Sequence, residues 1–294
     1  MQKSALAMII FESLSLFENL LEGRFAISSI GIFFLVWIVS WLPIAIPLSI
    51  LFQWRPPAPL TVQQKLPLVL SLYALAPLIL WGAAWLEKIP FSTYGLSWDL
   101  SVLQSVVIGL SLGILGVMLL FALEGGMGWV IWLPPGWRLL GSILPLTFLI
   151  GLVVSLVEEL VFRGFLLNQL QLAFSPWLAG VGSSLIFSVL HLVWEGKEAI
   201  PQLPGLGLMG IVLVLARWAD GGSLGLAIGL HAGWIGIMAS LDSTQSIHYS
   251  ERNLEWMTGL SGKPLAGVMG LLLLLLTATV VWGLGNINGG LAVG

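Results

Sequence analysis

Glu158, Glu159 and Arg163 fall within one stretch of six residues, directly after the apolar run Leu144 to Val157. His191 and His231, two of the chain's three histidines, lie in later apolar runs. Ionisable groups at membrane depth are expensive to desolvate, so their presence there is a functional-site hypothesis by default. The residue types suit hydrolysis. A carboxylate or an imidazole can take a proton from water, and a donor aimed at a developing oxyanion lowers the barrier to amide cleavage. Glu159 and Arg163 are four residues apart and pair on one helix face, with the acid in the favoured N-terminal position. Glu158 lies about 100° around the helix from that pair and is left without the partner. Phe187 is one turn before His191 on the same face and walls the site. Taken singly, each residue has a blander reading: an ion pair that neutralises itself, or a hydrogen-bonded interior histidine. Taken together, they favour a shared active site.

The elements that must position these groups follow from turn chemistry. Ser175-Pro176 is the natural turn of a helical hairpin, because proline is favoured at a helix start. Glu158 lies sixteen to seventeen residues before that turn and His191 as many after it. In antiparallel helices they sit at one depth, about 25 Å from the turn, and a Glu158–His191 pair is permitted. His231 is ten residues past the Gly221-Gly222 turn. It reaches the same depth only if the 175 turn projects farther from the bilayer, and the polar stretch Asn168-Gln169-Leu170-Gln171 makes room for that.

Charge-free windows run 25–54, 66–86, 100–123, 139–157, 164–194, 199–216, 221–241 and 264–294. Each can hold a helix of the ~17–25 residues that cross a bilayer. The expected fold is all-α: a polytopic membrane protein with about eight transmembrane helices in one domain, 1–294. Residues 1–24 read as an amphipathic N-terminal helix packed on the others. Over residues 4–22 its charges, Glu12, Glu18 and Glu22, are acidic, which argues against attraction to anionic lipid. The segments 125–137 and 242–263 read as interfacial and polar loops, the second carrying a solvated His248.

Composition sets the outer bounds. The 294 residues are 58% hydrophobic and 9% charged, with a mean hydropathy of +1.02, as expected of a multi-pass protein in the lipid bilayer. A net charge of −3 argues against a nucleic-acid partner. The absence of Cys excludes disulfides, thiolate metal sites and a cysteine nucleophile. Glu12 breaks the first apolar stretch and no small-x-small site follows, so no cleavable signal peptide is expected. Five Lys/Arg on one side of an eight-span topology face six on the other, which gives no orientation.

Glu158-Glu159-x-x-x-Arg163, then Phe187-x-x-x-His191, then His231 resemble the three motifs of the CPBP family, the CAAX proteases and bacteriocin-processing enzymes, also called the Abi family of intramembrane proteases. The resemblance covers about residues 140–245. It implies an endopeptidase that hydrolyses a peptide bond in a membrane-associated protein or peptide. Glu158 and His191 would activate the water, His231 would help hold the oxyanion, and Glu159–Arg163 would fix the first helix. A second reading makes Glu158, His191 and His231 the ligands of a catalytic zinc, with an open water position. The family is named for metalloproteases, while its eukaryotic branch is read as metal-free Glu/His catalysis. One position departs from the pattern: the family usually places Asn or another polar residue where this chain has Ile235, which neither donates nor ligates. Ile235 favours one alternative, a catalytically silent scaffold binding a membrane partner. A proton-coupled transporter is the other, although no inverted repeat supports it.

Overall fold

Backbone in lipid has no water to bond, so a spanning segment satisfies its N–H and C=O groups internally and becomes a helix. The computed structural model describes residues 2–55 and 60–287. Its helices are α1 (Gln2–Leu51), α2 (Val62–Glu87), α3 (Leu100–Gly126), α4 (Pro134–Glu159), α5 (Leu167–Ala173), α6 (Pro176–Glu195), α7 (Leu203–Ala219), α8 (Gly225–Ser243), α9 (Glu255–Thr258) and α10 (Val268–Ile287). Among the described residues, seven segments are long and apolar enough to cross a membrane. The fifth of them, Pro176–Ala219, is two helices, α6 and α7, packed on each other and joined by the 3-10 turn Gly196–Gln202. The chain is an integral, multi-pass, all-α membrane protein. The side chains of residues 1–22 lie outside the described ones, and so does the amphipathic face expected there.

Charges do not bound the fourth span. Arg138–Ala173 is one continuous 36-residue segment with Glu158, Glu159 and Arg163 in its interior. The windows 139–157 and 164–194 are therefore misdivided, while the turn at Ser175-Pro176 stands, with Pro176 opening α6. The physical reason is the buried ion pair, which lets charged residues stay inside an apolar helix. Between α4 and α5 the segment is a π-helical turn, Leu160–Leu166, closed by the Leu167 N–H on the Phe162 carbonyl. The same carbonyl accepts from Ser183 Oγ of α6 at 2.8 Å, which ties the hairpin together at the turn. Single π turns inside α-helices often mark functional sites.

Helix α8 is the buried one, with 78% of its spanning window covered against 17% for α1. It packs mainly on α3 and α4, and glycine makes the approach close enough. A Cβ at Gly113 of α3 would lie 2.6 Å from the Leu230 carbonyl oxygen, and one at Gly233 of α8 would lie 2.7 Å from that of Leu110. Gly109 and Gly229 meet the facing backbone more closely still. On the α4 side, a Cβ at Gly151 would lie 3.0 Å from the Ala232 carbonyl oxygen. Residues 229–233 are thus locked by backbone contact on two sides, with His231 among them.

The connectors close the ends of the bundle. Beyond α2, the 3-10 turn Phe91–Tyr94 tucks beneath the π turn: Tyr94 is buried against Phe165, and Asn168 donates to the Thr93 carbonyl. Burial, with Glu87 nearby, pushes the Tyr94 phenol up to about 12. At the opposite end, β1 (Val130–Trp132) pairs antiparallel with β2 (Ile247–Tyr249). The sequence reading has loops at both places, and the ribbon is an addition to it. His248 is exposed on β2, as expected of a solvated loop histidine. Burial, helped by Glu124, also raises the Tyr249 phenol.

Candidate active site

Arg163 is fully buried, with both terminal nitrogens partnered and Nε left without a hydrogen bond. Its Nη1 donates to Glu159 Oε1 at 3.1 Å, and its Nη2 donates to the Gly210 carbonyl of α7 at 3.2 Å. The guanidinium also lies over the Phe187 ring, 4.4 Å from its centre. A buried charge survives only with such partners, and an aromatic face adds to them. The expected Glu159–Arg163 pair is therefore present, and it ties α4, α6 and α7 together.

Glu159 serves a second group. Its Oε1 also accepts from His231 Nδ1 at 2.8 Å. The Nδ1 proton is fixed by that bond, so Nε2 is the nitrogen left for chemistry, and it lies 3.6 Å from Glu158 Oε2. The other Glu158 oxygen, Oε1, accepts a short hydrogen bond from the Tyr73 hydroxyl of α2. Glu158 is thus held between a phenol and an imidazole, and it is not the unpartnered carboxylate that helix geometry alone implies.

His191 is anchored by its own helix. Its Nδ1 donates to the Phe187 carbonyl at 2.9 Å, since a carbonyl can only accept, and Nε2 is again the free nitrogen. Phe187 stands between the histidines, its ring centre 4.7 Å from that of His191 and 6.0 Å from that of His231. The Phe162 ring packs edge-on against it at 5.1 Å.

One cavity of about 590 Å³ joins these groups. Tyr73, Glu158, Phe187, His191, His231 and Ile235 all line it, in walls that are otherwise mostly apolar. Lys65, Glu195 and Gln202 line it too, and they sit at helix ends on the side of the β-ribbon. The depth condition set for His231 is met, because it shares this cavity with Glu158 and His191. The direct Glu158–His191 pair is not formed. Glu158 is taken by Tyr73 and His231, and His191 by its own helix. Ile235 sits in the wall one turn beyond His231, where a polar residue would face the same space.

The zinc reading does not fit this arrangement. Among the described residues no three His, Cys, Asp or Glu side chains gather closely enough to hold a metal ion. Glu158 is engaged by Tyr73, while His191 and His231 each hold Nδ1 in a hydrogen bond and keep Nε2 free without converging on one point.

Tyr73 is the residue that sequence reasoning misses. It lies 85 residues from Glu158 and belongs to no motif. The one available signal is that the chain has only three tyrosines, and this one falls within an apolar span. The Glu159–His231 bond is likewise invisible before the fold, since it joins residues 72 apart.

One comparison gives a family likeness. Residues 140–237 match the model of the type II CAAX prenyl endopeptidases, Rce1-like. This Rce1-like stretch is about a third of the chain and contains Glu158, Glu159, Arg163, Phe187, His191 and His231. It agrees with the resemblance to the CPBP proteases and supports a CAAX protease-like endopeptidase acting on a membrane-associated protein. No curated protein and no solved structure matches the chain. The Rce1-like stretch takes in most of α4 and all of α5, α6 and α7, and ends inside α8. Tyr73 and the α1–α3 walls of the cavity lie outside it.

Proposed function

We propose that the protein is an intramembrane endopeptidase that hydrolyses a peptide bond of a membrane-associated protein or peptide bound in the cavity. The observation that carries this is the joint placement of Glu158, His191 and His231 in one largely apolar space. Glu158 takes a proton from a water that also donates to His191 Nε2, and the water oxygen bonds to the carbonyl carbon. The carbonyl oxygen becomes an oxyanion, to which His231 donates when Nε2 is protonated. The C–N bond then breaks, and the proton held by Glu158 passes to the leaving amine. Glu159 orients His231, and Tyr73 orients Glu158. This chemistry rests on positioned acid–base groups and a polarised carbonyl. The Rce1-like match supports a CAAX-type substrate, with a prenylated chain as its sharpest form.

The test is cleavage of a membrane-anchored peptide library by the wild type and by Glu158→Gln at matched thermal stability. Cleavage that disappears in the variant supports the reading. Equal cleavage by both removes Glu158 from the mechanism. Ile235 favours a second reading, a silent scaffold with the same fold, because an isoleucine four residues past His231 supplies no donor of its own. Absence of cleavage by the wild type across the library is the outcome that reading expects.

A further inference from the structure

Helix α2 presents Lys65, Val69, Leu72 and Tyr73 to the cavity. The spacing i, i+4, i+7, i+8 is one face of a helix. Tyr73 marks the reacting end of that face through its bond to Glu158. Lys65 marks the other end, eight residues or about 12 Å along the axis. Both side chains lean toward the helix N-terminus, so the separation of their tips is preserved.

The charges at that end of the cavity are unequal in their commitments. Glu195 is engaged by Lys263 at 3.8 Å and by Gln202 at 3.1 Å. Lys263 also donates to the Glu198 carbonyl. Lys65, half-buried, has no carboxylate within ion-pair distance among the described residues. It is thus a cation without a protein counter-ion, set in the wall of a cavity whose far end holds carboxylates.

We propose that Lys65 is a specificity-determining residue that binds a carboxylate of the substrate at the cavity mouth. This rests on the endopeptidase reading above. An extended chain advances about 3.4 Å per residue, so the carboxylate lies three to four residues from the bond presented to Glu158. The carboxylate is either the substrate's C-terminus or an acidic side chain at that distance. A lysine suits both, as a point charge with three donors on a flexible stem.

The experiment uses the full chain in detergent micelles and an N-terminally lipidated fluorescent peptide in three forms: free acid, C-terminal amide, and amide with a Glu near the end. Binding is read by anisotropy on the Glu158→Gln background, so it does not depend on turnover, and cleavage is read separately on the native background. Charge-assisted bonds are the strong ones, so the free acid or the Glu peptide is expected to bind about tenfold tighter than the plain amide. Lys65→Gln should bring that ratio close to one, and Lys65→Arg should retain it. Preference for the free acid alone identifies the terminus, and equal preference for the Glu peptide identifies a side chain. A ratio near one in the protein with Lys65 intact, or one unchanged in Lys65→Gln, overturns the proposal. Acid-selective binding without cleavage on the native background would sink the endopeptidase reading while leaving Lys65 as an anion site.

Discussion

At the residue scale, the proposed function gives one carboxylate the chemistry and the other the task of holding its neighbours in place. Glu158 faces the cavity between Tyr73 and His231, while Glu159 is buried under Arg163 and His231. Substitution should separate the two. Glu158→Gln is expected to lower kcat by roughly 10²–10⁴-fold with little change in Tm, the usual range for a positioned acid–base group. Arg163→Met leaves Glu159 as a buried charge with only His231 beside it. Breaking a buried pair in this way typically costs about 3–5 kcal/mol, so a large fall in Tm should precede any kinetic effect. Loss of activity in Arg163→Met at unchanged Tm would contradict this division of labour. Ile235→Asn places a donor in the wall beside His231. It is expected to raise kcat roughly tenfold or more, because one oxyanion donor is worth ~10²–10³ where it has been removed. Single-turnover cleavage of the same peptide by the two proteins measures it.

At the element scale, the site depends on how closely α8 approaches α3 and α4. Gly113 and Gly233 face each other's backbone with no room for a Cβ. Gly113→Leu should push α8 away from α3, lower Tm and displace His231. Gly207, which has open space around its position, is the control, and Gly207→Ala should change neither. The start of α3 offers a pH readout outside the membrane. Asp99 caps the helix by accepting from the Val102 N–H, and bonds from Ser101 and Ser97 hold its carboxyl at about 2, below the 3.8 of a free aspartate. A depressed folded-state value means stability present above the unfolded value and lost as pH falls from about 3.8 through about 2. Asp99→Asn should flatten that acid limb of a Tm-against-pH curve. An unchanged limb would show that the cap carries no linkage.

At the scale of the whole molecule, the helices alternate in direction, so their connectors alternate sides. The segments 88–99, 174–175 and 220–224 share one end of the bundle, and 127–133, 196–202 and 244–267 share the other. Arg163 belongs to neither end, since it is buried inside the bundle. The chain has no cysteine, so single introduced thiols report without background. Gln202→Cys and Ser223→Cys should react with an impermeant maleimide from opposite faces of sealed vesicles. Labelling of both from one face would refute the topology.

The sequence by itself determined the class of protein and singled out Glu158, His191 and His231, which line one cavity. Hydropathy marks the spans because lipid forces helices, and ionisable residues at membrane depth are conspicuous because they are costly there. Glu159–Arg163 and Phe187–His191 were legible as well, since a helix turns i,i+4 spacing into contact. The tertiary structure decided what crosses between helices. The Tyr73–Glu158 and Glu159–His231 bonds join residues 85 and 72 apart, and no local periodicity encodes them. It also decided that the charges lie within the fourth span, that a π turn follows them, and that Glu158 meets His231 and Tyr73 in preference to His191. Those outcomes depend on how closely glycine lets backbones approach, which is a property of pairs of helices.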